Sequence, residues 1–306
     1  MTASPSPNDE PEHHEPRHHV PRHHEPRHHE PAPHLDSTAH LMNRISTQLT
    51  TQLGLVRPDG RRRPGPPALV VVAHGSRDPR ALETVRALLD RVRAQRPGLP
   101  VHLGHIELNE PLLTDTLAAL DARRTPDAVL VPLLLARGYH VRRDIPETAA
   151  RARVRTRVAA PLGPHPLLAD ALHARLTEAG WRAPATAAER RASAVVLAAA
   201  GSRDPDSAVD ARRTAALLAE RLGVPVVPAF ASTAAPTVPE ALRALAARGR
   251  DRVAVASCFT APGRFATECA QAAPGIVSAP LGTHPAMAHL LLHRYDEALQ
   301  VHSNAA

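Results

Sequence analysis

Short apolar runs alternate with longer amphipathic stretches from residue 67 to the end of the chain. In the first half the apolar runs predict strands, which are 68–73, 101–107, 128–135 and 154–162. The amphipathic stretches between them predict helices near 79–96, 111–124, 143–153 and 166–179. Strands joined by helices of this length form right-handed crossovers, which build a parallel sheet covered on both faces. The pattern therefore predicts a compact α/β unit.

The second half of the chain repeats this plan. Its predicted strands lie near 193–199, 224–230, 252–259 and 276–280, followed by a last helix over 285–300. Three motifs recur in the same order: GSRDP at 75 and 201, ARG at 136 matched by APG at 261, and APLGPHP at 160 matched by APLGTHP at 279. Three aligned matches indicate a duplication. We therefore expect two domains, 65–184 and 185–306, each a flavodoxin-like or Rossmann-like α/β fold with a four-stranded parallel sheet.

Residues 1–64 differ in composition from the rest and predict a disordered tail and linker, with a short helix over 41–54. Residues 13–29 read HHEPRHHVPRHHEPRHH, with a proline at every fifth position. Proline at this spacing forbids a regular helix, and the segment has almost nothing apolar to bury. Paired imidazoles bind nickel, cobalt, copper or zinc. The repeat is either a low-complexity expansion without a role or a flexible metal reservoir that feeds a site elsewhere in the chain.

The charge of the chain favours an acidic partner. Every basic residue is arginine, because the chain contains no lysine, and the formal net charge is +7. Nucleic acid is one class of acidic partner, but aromatic residues make up only 2% of the chain and offer few surfaces on which bases stack. We therefore expect a small polyanionic substrate and no nucleic acid.

Two further features restrict the class of protein. No stretch of about 18 uncharged apolar residues occurs, and the N-terminus has neither the basic start nor the apolar segment of a signal peptide. We therefore expect a cytoplasmic protein without a membrane partner. Cys258 and Cys269 lack a CxxC-type spacing, so neither a disulfide framework nor a structural zinc site is expected. Both are predicted to be buried thiols.

Candidate chemistry lies where the first three strands end. His74 ends the first strand, Glu107 ends the second, and His140 follows the third, at intervals of 33 residues. Ligands of open parallel sheets bind outside the carboxyl ends of the strands, so these three side chains are expected to meet at one edge. Two imidazoles and one carboxylate make an open site for a divalent transition metal and leave positions for substrate.

The second half supplies an internal control for this site. His74 is matched by Ala200, Glu107 by Ser232, and His140 by Phe265, while the residues around them are retained. All three polar groups are missing together from the second half. This is the pattern expected if they serve one chemistry that only the first half performs.

The segments VVVAHGSRDP, GHIELNEP and VPLLLARGYHVRRDIP resemble the sirohydrochlorin chelatase family, the class II chelatases that insert cobalt or iron into a reduced tetrapyrrole. The likeness covers residues 67–300 and includes the two-domain duplication of the long form. It implies that His74, Glu107 and His140 are metal ligands and that the histidines also take pyrrole protons. The chain departs from the family pattern in its second half, which lacks a polar set. In chelatases whose metal ligands lie in the C-terminal half, that half would be the active one. In this chain the C-terminal half cannot be active, because it lacks these ligands.

The resemblance implies a lyase-type metal chelatase that makes sirohaem with iron or a cobalamin precursor with cobalt, and that needs no cofactor beyond the substrate metal. Imidazole, with an unperturbed pKa of about 6.5, both binds metal and accepts protons near neutral pH. Arginine binds the carboxylates of sirohydrochlorin bidentately. The expected substrate-binding arginines flank the ligand loops and the matching edge of the second half, and are Arg77, Arg137, Arg142, Arg143, Arg203 and Arg264. Because the fused domains already provide both walls of a cleft, we expect a monomer.

Two other classes of function stay open at this point. A histidine after a first strand, followed by glycine and arginine, has a faint similarity to phosphate-transfer enzymes in which the histidine itself is phosphorylated, although the usual Arg-His-Gly order is absent. A non-enzymatic metal-storage or metallochaperone protein would use the histidine-rich tail, but it would leave the duplicated domains unexplained. Two histidines and a glutamate do not distinguish iron from cobalt.

Overall fold

The structure, a computed structural model, describes residues 65–303. The predicted tail, its histidine repeat and the predicted helix over 41–54 lie outside the described residues. The residues from Gly65 onward form one unit that contains both halves of the duplication.

The first half is built on a parallel sheet of four strands. Its strands are β1 (Ala68–Ala73), β2 (Val101–His105), β3 (Asp127–Pro132) and β4 (Arg155–Val158). Its helices are α1 (Pro79–Gln95), α2 (Leu113–Ala122), α3 (Ile145–Arg151) and α4 (Pro166–Glu178), and a π-helical turn (His140–Asp144) leads into α3. The strand order is β2-β1-β3-β4 with every pair parallel. This confirms the predicted α/β class for the first half.

The sequence around β1 explains why the chain turns so sharply at its end. All six residues of β1 are buried between β2 and β3, as the apolar run ALVVVA requires. Six residues after the end of β1, Pro79 opens α1, and the Asp78 side chain caps this helix by accepting from the Arg80 backbone N–H at 3.0 Å. A proline in the first turn and an aspartate before it are a strong helix start. The turn that carries His74 is therefore held at both ends.

The second half has the same order of elements. Its strands are β5 (Ser193–Ala199), β6 (Val226–Phe230) and β7 (Arg252–Ser257), in the parallel order β6-β5-β7. Its helices are α5 (Ala187–Ala192), α6 (Pro205–Leu222), α7 (Val238–Ala246), α8 (Arg264–Gln271) and α9 (Pro285–Ser303). The short helix α5 was not predicted. No helix between residues 65 and 303 has both the length and the apolar character needed to span a membrane.

The predicted fourth strand of the second half, near 276–280, is wrong. Only Val277 forms a parallel bridge there, with Val255. The next backbone donor, the Ser257 N–H, is bound by the Ser278 hydroxyl at 2.9 Å instead of by a carbonyl of a neighbouring strand. Because a side chain accepts the hydrogen bond that would continue the ladder, the pairing stops after one bridge. The second sheet therefore has three strands rather than four.

The last helix of each half packs on the other half. The helix α4 contacts β7 and α6, whereas α9 contacts β3 and α1. Tyr295 of α9 donates its hydroxyl to the Pro67 carbonyl at 2.7 Å, and Asp296 accepts two hydrogen bonds from Arg96, at 2.6 and 2.7 Å. One hydrophobic core includes residues of both halves. The reciprocal packing fixes the two sheets, and therefore the two walls between them, relative to each other.

Candidate active site

His74 is the first residue after β1, and the loop that follows β2 is bonded to it through the backbone. The Ile106 N–H donates to the Ala73 carbonyl at 2.9 Å, and the Glu107 N–H donates to the His74 carbonyl at 3.0 Å. Gly75 has a φ of +105°, and a Cβ on it would lie 1.8 Å from the Glu107 carbonyl oxygen. Only glycine permits this approach. As a result, His74 Nδ1 lies 3.7 Å from Glu107 Oε1.

His140 begins the π-helical turn, which brings its ring to His74. The two ring centroids are 4.8 Å apart and the ring planes are nearly perpendicular, at 88°. His140 Nδ1 lies 2.5 Å from Asp144 Oδ2, one helical turn further along the chain. A carboxylate on one ring nitrogen fixes the tautomer of a histidine and leaves the other nitrogen available. A π-helical turn at this point is typical of functional segments.

The structure thus brings all three predicted ligands together, with His74 in the centre. Their side chains are partly open to solvent, at 43% for His74, 53% for Glu107 and 33% for His140. Within residues 65–303, no three His, Cys, Asp or Glu side chains are already arranged around a common point. Side-chain rearrangement is therefore needed before one ion can contact all three groups.

The three residues line a cleft of about 1800 Å³ between the two halves. One wall consists of the loops after β1, β2 and β3, and the opposite wall consists of the loops after β5, β6 and β7. The opposite wall repeats the backbone of the first: the Ser232 N–H donates to the Ala200 carbonyl at 3.0 Å, and a Cβ on Gly201 would lie 2.1 Å from the Ser232 carbonyl oxygen. The duplication has therefore kept the loop geometry and lost the ligands.

All six arginines that were predicted to bind substrate line this cleft, but they differ in their contacts. Arg137 and Arg142 are paired with aspartates of α6. Arg264 stacks on Phe265, with its guanidinium carbon 4.6 Å from the ring centroid, and its Nε lies 3.6 Å from Glu268 Oε1.

The remaining arginines, Arg77, Arg143 and Arg203, make no ion pair within the described part of the chain. Their guanidinium groups are therefore open to an anionic ligand in the cleft.

Several polar residues at this site were not predicted from the sequence. Asp144 was recognisable, because a carboxylate four residues after a histidine lies on the same side of a helix. The aspartates of α6 that bind Arg137 and Arg142 gave no such signal, because they are about 70 positions away in the chain. Tyr139, which is 64% exposed, was also missed and lines the cleft beside His140.

Both cysteines are buried and unpaired, as predicted. Burial raises the pKa of the Cys258 thiol to about 12 and, together with the nearby Glu268, raises the pKa of Cys269 to about 11. Cys258 borders the cleft, but its raised pKa keeps the thiol protonated at neutral pH, so it is not expected to act as a nucleophile.

Comparison with known proteins accounts for the repeated architecture. The CbiX family model matches the chain twice, at residues 68–179 and again at 194–298, and the two matches together cover more than half of the 306 residues. The chain belongs to the CbiX family. This confirms the resemblance to the class II chelatases and shows that each half is a copy of the CbiX unit.

Named relatives of this CbiX protein are chelatases. The sirohydrochlorin ferrochelatase of Bacillus subtilis is 29% identical over 179 residues, which are 56% of this chain and 66% of that protein. The sirohydrochlorin cobaltochelatase of Methanococcus aeolicus is 35% identical over 80 residues, which are 26% of this chain and 56% of that protein. The chain thus spans between about half and two thirds of the length of these curated relatives.

A solved structure shares the fold of this CbiX protein. SirB from Bacillus subtilis with Fe3+ superposes with a TM-score of 0.64 at 25% identity, over 76% of this chain and 94% of that chain. The match extends over both halves, which confirms the two-part α/β architecture.

Proposed function

We propose that this CbiX family protein is a sirohydrochlorin chelatase, which inserts divalent iron or cobalt into the tetrapyrrole. The observation that carries the proposal is the meeting of two imidazoles and one carboxylate on a single wall of a large cleft, opposite a wall of the same backbone that lacks all three. The names of the relatives support this substrate and these metals.

In the proposed reaction, His74, Glu107 and His140 hold the incoming metal while ring nitrogens replace its ligands step by step. Three partly exposed groups hold a metal less firmly than four fixed ligands, which suits a site that must release it. Insertion also removes two pyrrole N–H protons. As ring nitrogens displace the histidines from the metal, each freed imidazole nitrogen takes one of these protons, and the Asp144 carboxylate beside His140 stabilises the imidazolium that forms.

The arginines hold the anionic tetrapyrrole. Arg77 and Arg143 lie on the wall that carries the metal, and Arg203 lies on the opposite wall. Their positions on both walls fit a ring that enters the cleft with its carboxylates directed to either side. Arg264 is available as well, because an exposed pair with Glu268 is weak.

An absorbance assay tests the proposal. Purified protein, sirohydrochlorin and Co2+ or Fe2+ are mixed, and the spectrum of the tetrapyrrole is followed over time. Since positioned general bases contribute about 10²–10⁴-fold to a rate, we expect His74→Ala and His140→Ala each to lower the insertion rate at least about 100-fold. The matched control is His289→Ala, an exposed histidine of α9 outside the cleft, which should keep the rate.

Two outcomes contradict the proposal. A full insertion rate in the His74→Ala variant would show that His74 does not take part in the reaction, which contradicts the proposed site. A wild-type protein that binds metal but does not accelerate insertion would favour the metal-storage alternative. Direct competition between Fe2+ and Co2+ in the same assay assigns the metal. The cytoplasmic location and the monomeric state stay predictions, and sedimentation analysis of the full chain checks the second of them.

A further inference from the structure

The segment that carries His140 is held by the second half. Asp210 of α6 accepts three hydrogen bonds from Arg137: from its backbone N–H and its Nε at 2.9 Å each, and from its Nη2 at 2.6 Å. The Asp210 side chain is only 1% exposed. Arg137 lies three residues before His140, so this contact fixes the backbone from which the histidine projects.

A second arginine of the same segment is bound at the same helix end. Arg142 contacts Asp204 with Nε 3.2 Å from Oδ2, and its Nη2 contacts Asp206. Asp206 also accepts from Arg137 Nη1 at 3.1 Å and so joins the two arginines. Hydrogen bonds from ionised donors to ionised acceptors are the strongest that proteins form. His140 therefore lies between two arginines that are both attached to α6.

The duplication shows that this attachment runs in one direction only. The position of Arg137 is occupied by Pro262 in the second half, and the positions of Asp206 and Asp210 are occupied by Arg80 and Thr84 in the first half. The reverse contact, from α1 to the loop after β7, therefore lacks these groups. The half without metal ligands carries the aspartates, and the half with the ligands carries the arginines.

The charge state of Asp210 agrees with a permanent contact. Burial alone would raise the pKa of this carboxyl, but the hydrogen bonds from Arg137 and the positive charges of Arg137 and Arg213 together outweigh burial, and the pKa is lowered. Asp210 is therefore ionised at neutral pH, and together with Asp206 it binds all three nitrogens of the Arg137 guanidinium group. Arg137 is thus committed to α6, unlike Arg77 on the same wall.

We propose that Asp210, assisted by Asp206, is a positioning residue that holds the segment 136–144 and thereby sets His140 against His74. The expected effect of Asp210 on catalysis rests on the proposed function, whereas its expected effect on metal binding does not. It assigns a role to the second half, which positions a ligand that it does not itself contain.

The test uses the full-length protein and measures Co2+ affinity by absorbance without tetrapyrrole. The same titration of His74→Ala, which keeps the histidine-rich tail, is subtracted to isolate the cleft site. Groups that orient a metal ligand typically change metal affinity 10–100-fold when they are removed, so we expect Asp210→Asn to weaken Co2+ binding at least about 10-fold. We expect Asp206→Asn, at a less buried carboxylate, to shift the affinity in the same direction by a smaller factor.

A matched control separates positioning from a general loss of contact between the halves. Asp170 of α4 pairs with Arg221 of α6 and also joins the two halves. Arg221 is 11 residues from Asp210, which is about 16 Å along the helix. Asp170→Asn should therefore keep the Co2+ affinity. In a His140→Ala background, Asp210→Asn should cause no further loss of affinity, because the ligand that it positions is gone.

Kinetics provide a second readout. In the insertion assay we expect Asp210→Asn to lower kcat about 10-fold or more and to change the KM for sirohydrochlorin less than about two-fold. Unchanged Co2+ affinity in Asp210→Asn and Asp206→Asn, or an equal loss in Asp170→Asn, would overturn the inference. A wild-type protein without insertion activity would instead contradict the proposed function, and the Co2+ titration would still decide the role of Asp210.

Discussion

The close approach of Gly75 to Glu107 makes the sharpest stability prediction. Gly75 has a φ of +105°, and an added Cβ would lie 1.8 Å from the Glu107 carbonyl oxygen. Gly75→Ala therefore introduces two separate penalties. An alanine in this backbone region costs about 1–3 kcal/mol, and displacing the backbone that it touches costs about 1–3 kcal/mol more. We expect a total loss of about 2–6 kcal/mol from the free energy of unfolding.

Gly180→Ala separates the two penalties. Gly180 has a similar φ of +99°, but a Cβ on it would meet nothing within 4 Å. This variant should lose only the backbone contribution, about 1–3 kcal/mol. The effect of the added methyl group on the unfolded chain is common to both variants and cancels between them. The difference between them, about 2 kcal/mol, corresponds to about 4–8 °C in Tm for a folded region of this size.

Gly201→Ala separates stability from metal binding. This residue has a φ of +85°, and a Cβ on it would lie 2.1 Å from the Ser232 carbonyl oxygen, so its stability loss should match that of Gly75→Ala. Only Gly75→Ala displaces a predicted ligand, and it alone should weaken Co2+ binding. Urea unfolding and Co2+ titration of the three variants measure both effects. Equal stability losses in Gly75→Ala and Gly180→Ala would refute the close approach, and equal Co2+ affinities in Gly75→Ala and Gly201→Ala would refute its link to Glu107.

Three further predictions concern the tail, the thiols and acid stability. If the tail is a metal reservoir, deleting residues 1–40 lowers the insertion rate only at scarce metal, and a rate-versus-metal titration that shows a loss at saturating metal contradicts this. Cys258 and Cys269 should not react with a thiol reagent at pH 8 until the protein is unfolded, because their thiol pKa values are raised to about 12 and 11; fast labelling of the folded protein would argue against their burial. Asp210→Asn should cost about 1.5–3 kcal/mol at pH 7. Because the folded pKa of Asp210 is lowered, this difference is complete above the unfolded pKa of about 3.9 and shrinks as the pH falls through the folded pKa. Urea unfolding at a series of pH values measures it, and a constant difference would contradict the assignment.

The structural elements that depend on short-range sequence patterns were predicted best. The apolar run of β1, the capping aspartate before Pro79 and the repeated GSRDP motif are local, and they placed strand, turn and helix with errors of a few residues. The duplication itself also acted as an internal alignment. Because the loops that follow parallel strands leave the sheet at the same edge, the predicted parallel arrangement was enough to expect His74, Glu107 and His140 to meet.

Contacts that depend on a choice among distant partners were not predictable in this way. The amphipathic pattern of α4 and α9 indicates that each helix buries one face, but not that each packs on the opposite half. Likewise, the positive charge of Arg137 fits a substrate carboxylate and a protein carboxylate equally well. Its pairing with Asp210 depends on a fold that brings residues 73 positions apart into contact.

The missing strand has a different cause. The segment near 276–280 has the apolar residues of a strand, and one bridge does form at Val277. Pairing then ends because the Ser278 hydroxyl accepts the bond that a backbone carbonyl would otherwise accept. A serine is compatible with either arrangement, so the pattern of apolar residues does not contain this information.

The most direct test of the account is a crystal structure of the protein with Co2+, with the metal located by its anomalous scattering. We predict one ion in the cleft, with imidazole nitrogens of His74 and His140 at about 2.1 Å and Glu107 within its coordination sphere. A second pair of imidazoles, His165 and His293, has the same 4.8 Å ring separation outside the cleft and serves as a built-in comparison. Cobalt at that pair, or on the wall of Ala200 and Phe265, with no ion at His74, would contradict the claim that the first half alone binds the metal.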